Sequence, residues 1–158
     1  MGKTVYKKLK GSQSFRQRLL LSTLSSTPIT IEDIRPNQTY PGLAKHEISL
    51  LRLFDTVSDG CTVEIYETGN LFFLCLLLFF FFYSNYNYSD FFFAGTKLKY
   101  KPGTIMGGRV NHPFQCDFSR SIGYYLEPLI VLCLFAKEPL NIRLKGCSYT
   151  CSSFLFHY

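Results

Sequence analysis

The residues of this chain whose types and spacing could do chemistry are mostly cations, and the chemistry they suggest is the binding of phosphate. Arg16 and Arg18 stand at the start of an apolar-periodic run. Arg35 opens a stiff, turn-rich stretch, Lys97, Lys99 and Lys101 alternate with Leu98 and Tyr100, and Arg109 follows Gly107-Gly108. The planar fork of an arginine can grip two phosphate oxygens. Three lysines on one strand face could track a phosphate backbone through salt-sensitive contacts, or simply form a solvated face. Tyr124 and Tyr125 could stack on bases, although between apolar helical positions they read first as core. Nothing in the spacing of His46, His112 and His157 defines a catalytic triad, and no carboxylate pair or metal cluster stands out. Cys147 and Cys151 are close, but that pair has no second pair to complete a zinc site.

The 158 residues carry a formal charge of +6, which points to an anionic partner such as RNA, DNA or a ribosomal surface and says nothing about fold. One domain is the default at this length. Six irregularly spaced cysteines without an apolar leader near Met1 suit reduced, intracellular thiols.

Positioning the cations requires a strand-and-helix framework. Thr4 to Leu9 reads as a lysine-rich edge strand, and a short helix follows from Ser14 with Phe15, Leu19, Leu20 and Leu24 apolar. Ile29 to Ile34 is a strand that runs into the corner Arg35-Pro36-Asn37-Gln38-Thr39-Tyr40-Pro41-Gly42. Ala44, Ile48, Leu51, Phe54 and Val57 then share one helical face, with Pro41 expected in the first turn, where a missing N–H costs nothing. Strand-to-helix corners of α/β layers are where ligands gather. Cys61 to Glu67 and Thr96 to Lys101 alternate as strands, and Pro102-Gly103 turns into a strand from Thr104 to Val110 interrupted by Gly107-Gly108. Ile122, Leu126, Leu129, Cys133 and Ala136 mark a third helix with a kink expected at Pro128, and Leu140 to Leu144 is a last strand.

Between the alternating strands the pattern fails. Asn70 to Ala94 is Phe and Leu followed by a Tyr/Asn/Ser patch and more Phe, with neither period. Its uninterrupted apolar run is too short for a transmembrane helix, which takes roughly 18 residues or more. A buried Phe/Leu helix would lack any polar face. The favoured expectation is translated intron: T-rich DNA encodes these residue types, and the codons at Gly69-Asn70 and Ala94-Gly95 can hold donor and acceptor dinucleotides. Without the segment, Glu-Thr-Gly-Thr-Lys-Leu makes an ordinary hairpin. Residues 1–69 and 95–146 are then two parts of one domain, 70–94 an insert, and 147–158 an aberrant tail.

Ser14-Phe15-Arg16-Gln17-Arg18, Ile34-Arg35 with Pro41-Gly42-Leu43, Tyr100-Lys101-Pro102-Gly103 with Gly107-Gly108, and Ser121-Ile122-Gly123-Tyr124-Tyr125-Leu126-Glu127 together resemble the RNA 3'-terminal phosphate cyclase superfamily, and within it the eukaryotic cyclase-like branch. The resemblance covers about Lys8 to Gly146 apart from the insert. It implies an α/β fold of repeated units, each of two helices on a four-stranded sheet, of which this chain would hold the first and part of the second; such a piece leaves a sheet edge and a helix face uncovered. It also implies that Arg16 and Arg35 match cyclase arginines, while Gln38 and His46 replace a family arginine and a pocket glutamine. Cyclases carry a glycine-rich segment with a glutamate before the first helix, where this chain has Gly11-Ser12-Gln13-Ser14, and none of its histidines matches the one that becomes adenylylated. No cyclase activity and no cofactor are therefore expected. The branch implies a nuclear, nucleolar factor of early pre-rRNA processing for the small (40S) ribosomal subunit, with pre-rRNA and a nucleolar GTPase of the small-subunit processome as partners, and no membrane or DNA. Any endonuclease role suggested for the branch rests on residues beyond this chain. On this reading Arg16, Arg18, Arg35, Lys97, Lys99, Lys101 and Arg109 contact RNA or phosphate. The alternative is an ATP-dependent RNA 3'-terminal phosphate cyclase.

Overall fold

β1 (Lys7–Lys10) leads through a turn at Gly11, where φ is +70°, into α1 (Phe15–Leu24), and β2 (Ile29–Glu32) comes back parallel to β1. A parallel return needs a crossover, and α1 supplies it. These elements belong to a computed structural model that describes residues 5–38, 41–67 and 95–147. Residues 70–94, and the tail beyond Cys147, lie outside the described residues, so the expected insert and aberrant tail do too.

β2 stops at Glu32 because Asp33 and Arg35 turn into the left-handed region, with φ of +57° and +47°. Side chains with a Cβ seldom sit there unless their surroundings hold them. Here the Ile34 N–H donates to the Thr96 carbonyl at 3.0 Å, and the Gly42 N–H donates back to the Ile34 carbonyl at 3.0 Å. α2 (Lys45–Val57) begins later than the proline rule predicts. Pro41 stays outside the helix, Gly42 takes φ of +96°, and Ala44 is the N-cap. The cause is Glu47, whose carboxylate accepts the Ala44 N–H at 2.8 Å and fixes the first turn at that point.

β3 (Ser58–Asp59) and a turn at Gly60 precede β4 (Thr62–Glu67), and β5 (Gly95–Lys101) pairs antiparallel with both β4 and β2. The resulting four-stranded sheet has the order β1-β2-β5-β4. Its inner face carries Leu9, Ile31, Leu98 and Ile65 in one row, and Ile29, Tyr100 and Val63 in the next. That face joins Phe15 and Leu19 of α1 and Leu50, Leu53, Phe54 and Val57 of α2 in a common core. Tyr100 reaches into it with its hydroxyl bonded to Thr23 Oγ1 at 2.8 Å, tying β5 to α1. Such a buried pair is worth about 1 kcal/mol. Burial also pushes the Tyr100 phenol well above its usual range.

The second half is built from two-residue strands. β6 (Thr104–Ile105) pairs with β3, β7 (Gly108–Arg109) with β9 (Leu140–Asn141), and β8 (Phe114–Gln115) with β10 (Leu144–Lys145). The sequence pattern joins 104–110 and 140–144 into single strands and assigns β8 to no element. The structure splits both, because each fragment answers to a different partner. Gly107 is the break: its φ is +77°, and a Cβ there would run into the Glu138 carbonyl. α3 (Ile122–Cys133) buries Ile122, Tyr125, Leu129 and Leu132 and runs through a buried Pro128, ending before Ala136. The chain is thus a mixed α/β fold in which two helices lie on a four-stranded sheet and a third helix packs beside α1. No helix among the described residues is long and apolar enough to cross a membrane.

Candidate functional site

The first turns of α1, α2 and α3 converge on Tyr124. Arg16, in the first turn of α1, lays its guanidinium over the Tyr124 ring at 5.0 Å from the centroid, donates to the Tyr124 carbonyl at 3.3 Å and pairs with Glu127 at 2.7 Å. The Arg120 guanidinium lies 5.9 Å from the centroid of the same ring. His46, from the first turn of α2, meets the ring edge-on at 5.4 Å. Cations prefer a ring face because the π cloud is negative there. The cluster therefore stores positive charge at a partly open surface: Arg16 keeps 18% of its side chain exposed, and Arg120 is exposed.

Ser119 Oγ lies 3.4 Å from His46 Nδ1 and also donates to Asp117. The order Asp–Ser–His is not that of a hydrolytic triad, in which the histidine sits between carboxylate and nucleophile. Burial lowers the His46 pKa, against the opposing pull of Glu47, and so favours the neutral imidazole. Burial likewise raises the Tyr124 phenol. No group of three or more His, Cys, Asp or Glu side chains among the described residues is arranged to hold a metal. Cys116 is a core thiol, pushed up to about 12 by burial.

The seven cations read as phosphate contacts divide into distinct settings. Arg18 spends its guanidinium on the carbonyls of Lys10 and Gly11, at 2.9 and 2.7 Å, clamping the turn between β1 and α1. Arg35 donates through Nε to the Gly42 carbonyl at 2.9 Å and through both terminal nitrogens to Glu47, so its fork is filled by a carboxylate of the same chain. Lys97 pairs with Glu32 at 2.8 Å, and Lys99 with Glu64 at 3.5 Å and the Tyr66 hydroxyl at 2.9 Å. Lys101 and Arg109 are exposed. Of the seven, only Arg16 belongs to the Tyr124 cluster, while Lys97, Lys99 and Lys101 share the outer face of the sheet. Arg120 escapes sequence reasoning because it sits in a loop with no period. His46 reads as a surface residue, yet the structure half-buries it, and only contact with α3 explains that.

The chain belongs to the RNA 3'-terminal phosphate cyclase family, whose profile matches residues 7–75 and 84–158. Among its relatives are the probable RNA 3'-terminal phosphate cyclase-like protein of Arabidopsis thaliana, 55% identical over 140 residues, and the rRNA processing protein rcl1 of Schizosaccharomyces pombe, 37% identical over 140 residues. The RNA 3'-terminal phosphate cyclase-like protein of Homo sapiens is 39% identical over 136 residues. The matches cover 89%, 89% and 86% of this chain but only 30%, 31% and 29% of those proteins, so the chain spans about three tenths of their length.

Proposed function

We propose that this chain is the first part of a pre-rRNA processing factor of the cyclase-like branch, acting in early maturation of the small (40S) subunit in the nucleolus, and that it contributes RNA contacts rather than catalysis. The observation that carries the reading is the likeness over nearly nine tenths of the chain to relatives of which two, from Schizosaccharomyces pombe and Saccharomyces cerevisiae, are named rRNA processing proteins. The residues support it in two ways. The turn before α1 offers Gly11 as its sole glycine, with Ser14 as N-cap, which is too little backbone freedom for a phosphate cradle. Arg35, the arginine best placed at the corner, has its fork filled by Glu47. Arg16, Lys97, Lys99, Lys101 and Arg109 are the proposed RNA contacts, with Arg18 and Arg35 holding the turns that carry them. A nucleolar GTPase is the proposed protein partner.

The test is ultraviolet crosslinking of the tagged chain in cells, followed by identification of the bound RNA. Enrichment of small-subunit precursor RNA is expected, and recovery at background level would overturn the reading. Incubation of the purified chain with radiolabelled ATP addresses the alternative: no transfer of adenylate to protein is expected, and a labelled protein band would favour the cyclase.

A further inference from the structure

The strand register assembles a second cationic surface that the sequence divides among distant segments. On the face of the sheet turned away from the helices, Lys8 lies beside Thr30, Thr30 beside Lys99, and Lys99 beside Glu64. The next row runs Lys10, Glu32, Lys97 and Tyr66, with the Lys97–Glu32 ion pair bridging β5 and β2. Lys101 opposes Thr62 at the end of β5. Five lysines thus share one sheet face with two carboxylates, and each carboxylate is already paired, Glu32 with Lys97 and Glu64 with Lys99. Lys8 and Lys101 have no ion-pair partner among the described residues, and Lys10 has only an exposed contact of 3.7 Å to Asp33. The Glu32 carboxyl is held below its usual range by Lys97 first and by Lys8 and Lys10 after it, so the lysines of two strands, β5 and β1, act on one point.

We infer that the outer face of the β1-β2-β5-β4 sheet, through Lys8, Lys10, Lys97, Lys99 and Lys101, is a sequence-independent track for the backbone of single-stranded RNA. The inference rests on the RNA-binding reading above and names the surface. The geometry argues for a repeating polyanion. Lysines recur about 6.7 Å apart along β1 and along β5, and these two strands, with β2 between them, lie about 9.6 Å apart, so an extended chain of phosphates following either strand meets one cation after another. Lysine suits that task as a compact point charge that positions a backbone without reading bases. The Tyr66 ring has Lys99 Nζ over it at 4.7 Å, and its hydroxyl bonds Lys99 and Glu64, so it orders the lysine rather than serving as a base platform. The surface is separate from the Tyr124 cluster, which lies among the helices on the other side of the sheet.

The test is binding of the full chain to a fluorescent oligouridylate across a salt series, with the triple variant Lys8→Gln, Lys10→Gln, Lys101→Gln. These positions are exposed and the only pair lost is the loose Lys10–Asp33 contact, so an unchanged thermal melt is expected. Each phosphate contact on a single strand contributes about 0.7 to the slope of log affinity against log salt. The triple variant should therefore show a slope shallower by about 2, while Lys137→Gln with Arg143→Gln, exposed cations outside that sheet, leaves the slope at that of the unchanged chain. If RNA binds and the triple variant keeps the full slope, the sheet-face track is overturned and the RNA-binding reading stands. If the unchanged chain binds no RNA, that reading falls and the track with it. Binding of polyglutamate in place of RNA, abolished in the triple variant, would assign the face to an acidic protein and overturn the inference.

Discussion

At the scale of single residues, the charges nearest the helices work mainly on the chain itself. Arg35 and Glu47 form a bidentate pair with side chains only 19% and 4% exposed, and the same carboxylate caps α2 through the Ala44 N–H. Removing one member of a buried pair leaves the other uncompensated. Glu47→Ala should therefore cost about 3 kcal/mol, read as a lower urea midpoint at constant m-value, and Glu47→Gln should cost less because the amide oxygen can still cap the helix. An unchanged midpoint for Glu47→Ala would mean the pair contributes nothing net. His46 gives a pH-dependent prediction. Its pKa is lowered by burial, so the unfolded chain binds more protons than the folded one between the folded value and about 6.5. Stability contributed by the neutral ring is present above about 6.5 and lost as pH falls through the folded pKa. His46→Gln should flatten that acid limb, and NMR titration of the imidazole should place its midpoint below that of a free histidine. Neither effect was legible in the sequence, because Arg35 and Glu47 lie twelve residues apart with an irregular corner between them, and His46 is half-buried against Ser119 and Tyr124, more than seventy residues away. The cations themselves were legible; their partners were not.

At the scale of elements, alternation and helical spacing found the sheet and the three helices of the described residues, since each buries one face against the same core. Strands over 104–110 and 140–144 were legible, but their division into two-residue strands was not, because two residues carry no period and the parallel partners of β7 and β8 lie about thirty residues away. The register of β4 and β5 turns the sequence-based expectation of an insert into an experiment. Tyr66 pairs with Lys97, the register shifts between Tyr66 and Glu67, and Glu67 pairs with Gly95. The ends of the strands flanking residues 68–94 are therefore already side by side. Deleting residues 69–94 would leave Thr68-Gly95 between Glu67 and Thr96, a two-residue hairpin loop with glycine where a type I′ turn demands positive φ. A shorter connection lowers the entropy cost of closure, by roughly 2 kcal/mol for this change in length. The deletion variant should keep its cooperative transition and melt at higher temperature by circular dichroism. Loss of cooperativity would show that residues 69–94 support the fold, and the insert expectation would fail.

At the scale of the whole molecule, the apolar surface matters more than the charge. α3 buries one face on the core, but Ile130 and Leu134, four residues apart on its other side, are 50% and 77% exposed, and Phe135 just beyond the helix is 64% exposed. Leu21 on α1 adds another at 64%. Single exposed apolar residues are ordinary, but a line of them along one helix is the kind of surface that elsewhere is covered by more protein. The curated relatives are about three times as long as the part matched here. An isolated chain with the same helix has only other copies of itself to offer. Self-association through α3 is the expected consequence, opposed at low salt by the net charge of +6, so added salt should strengthen it. Leu134→Glu with Phe135→Gln should weaken the association several-fold in sedimentation velocity without lowering the melting temperature, since neither side chain contributes to the buried core. A variant that associates as strongly as the unchanged chain would move the contact away from α3 and leave that helix face as an ordinary solvated surface.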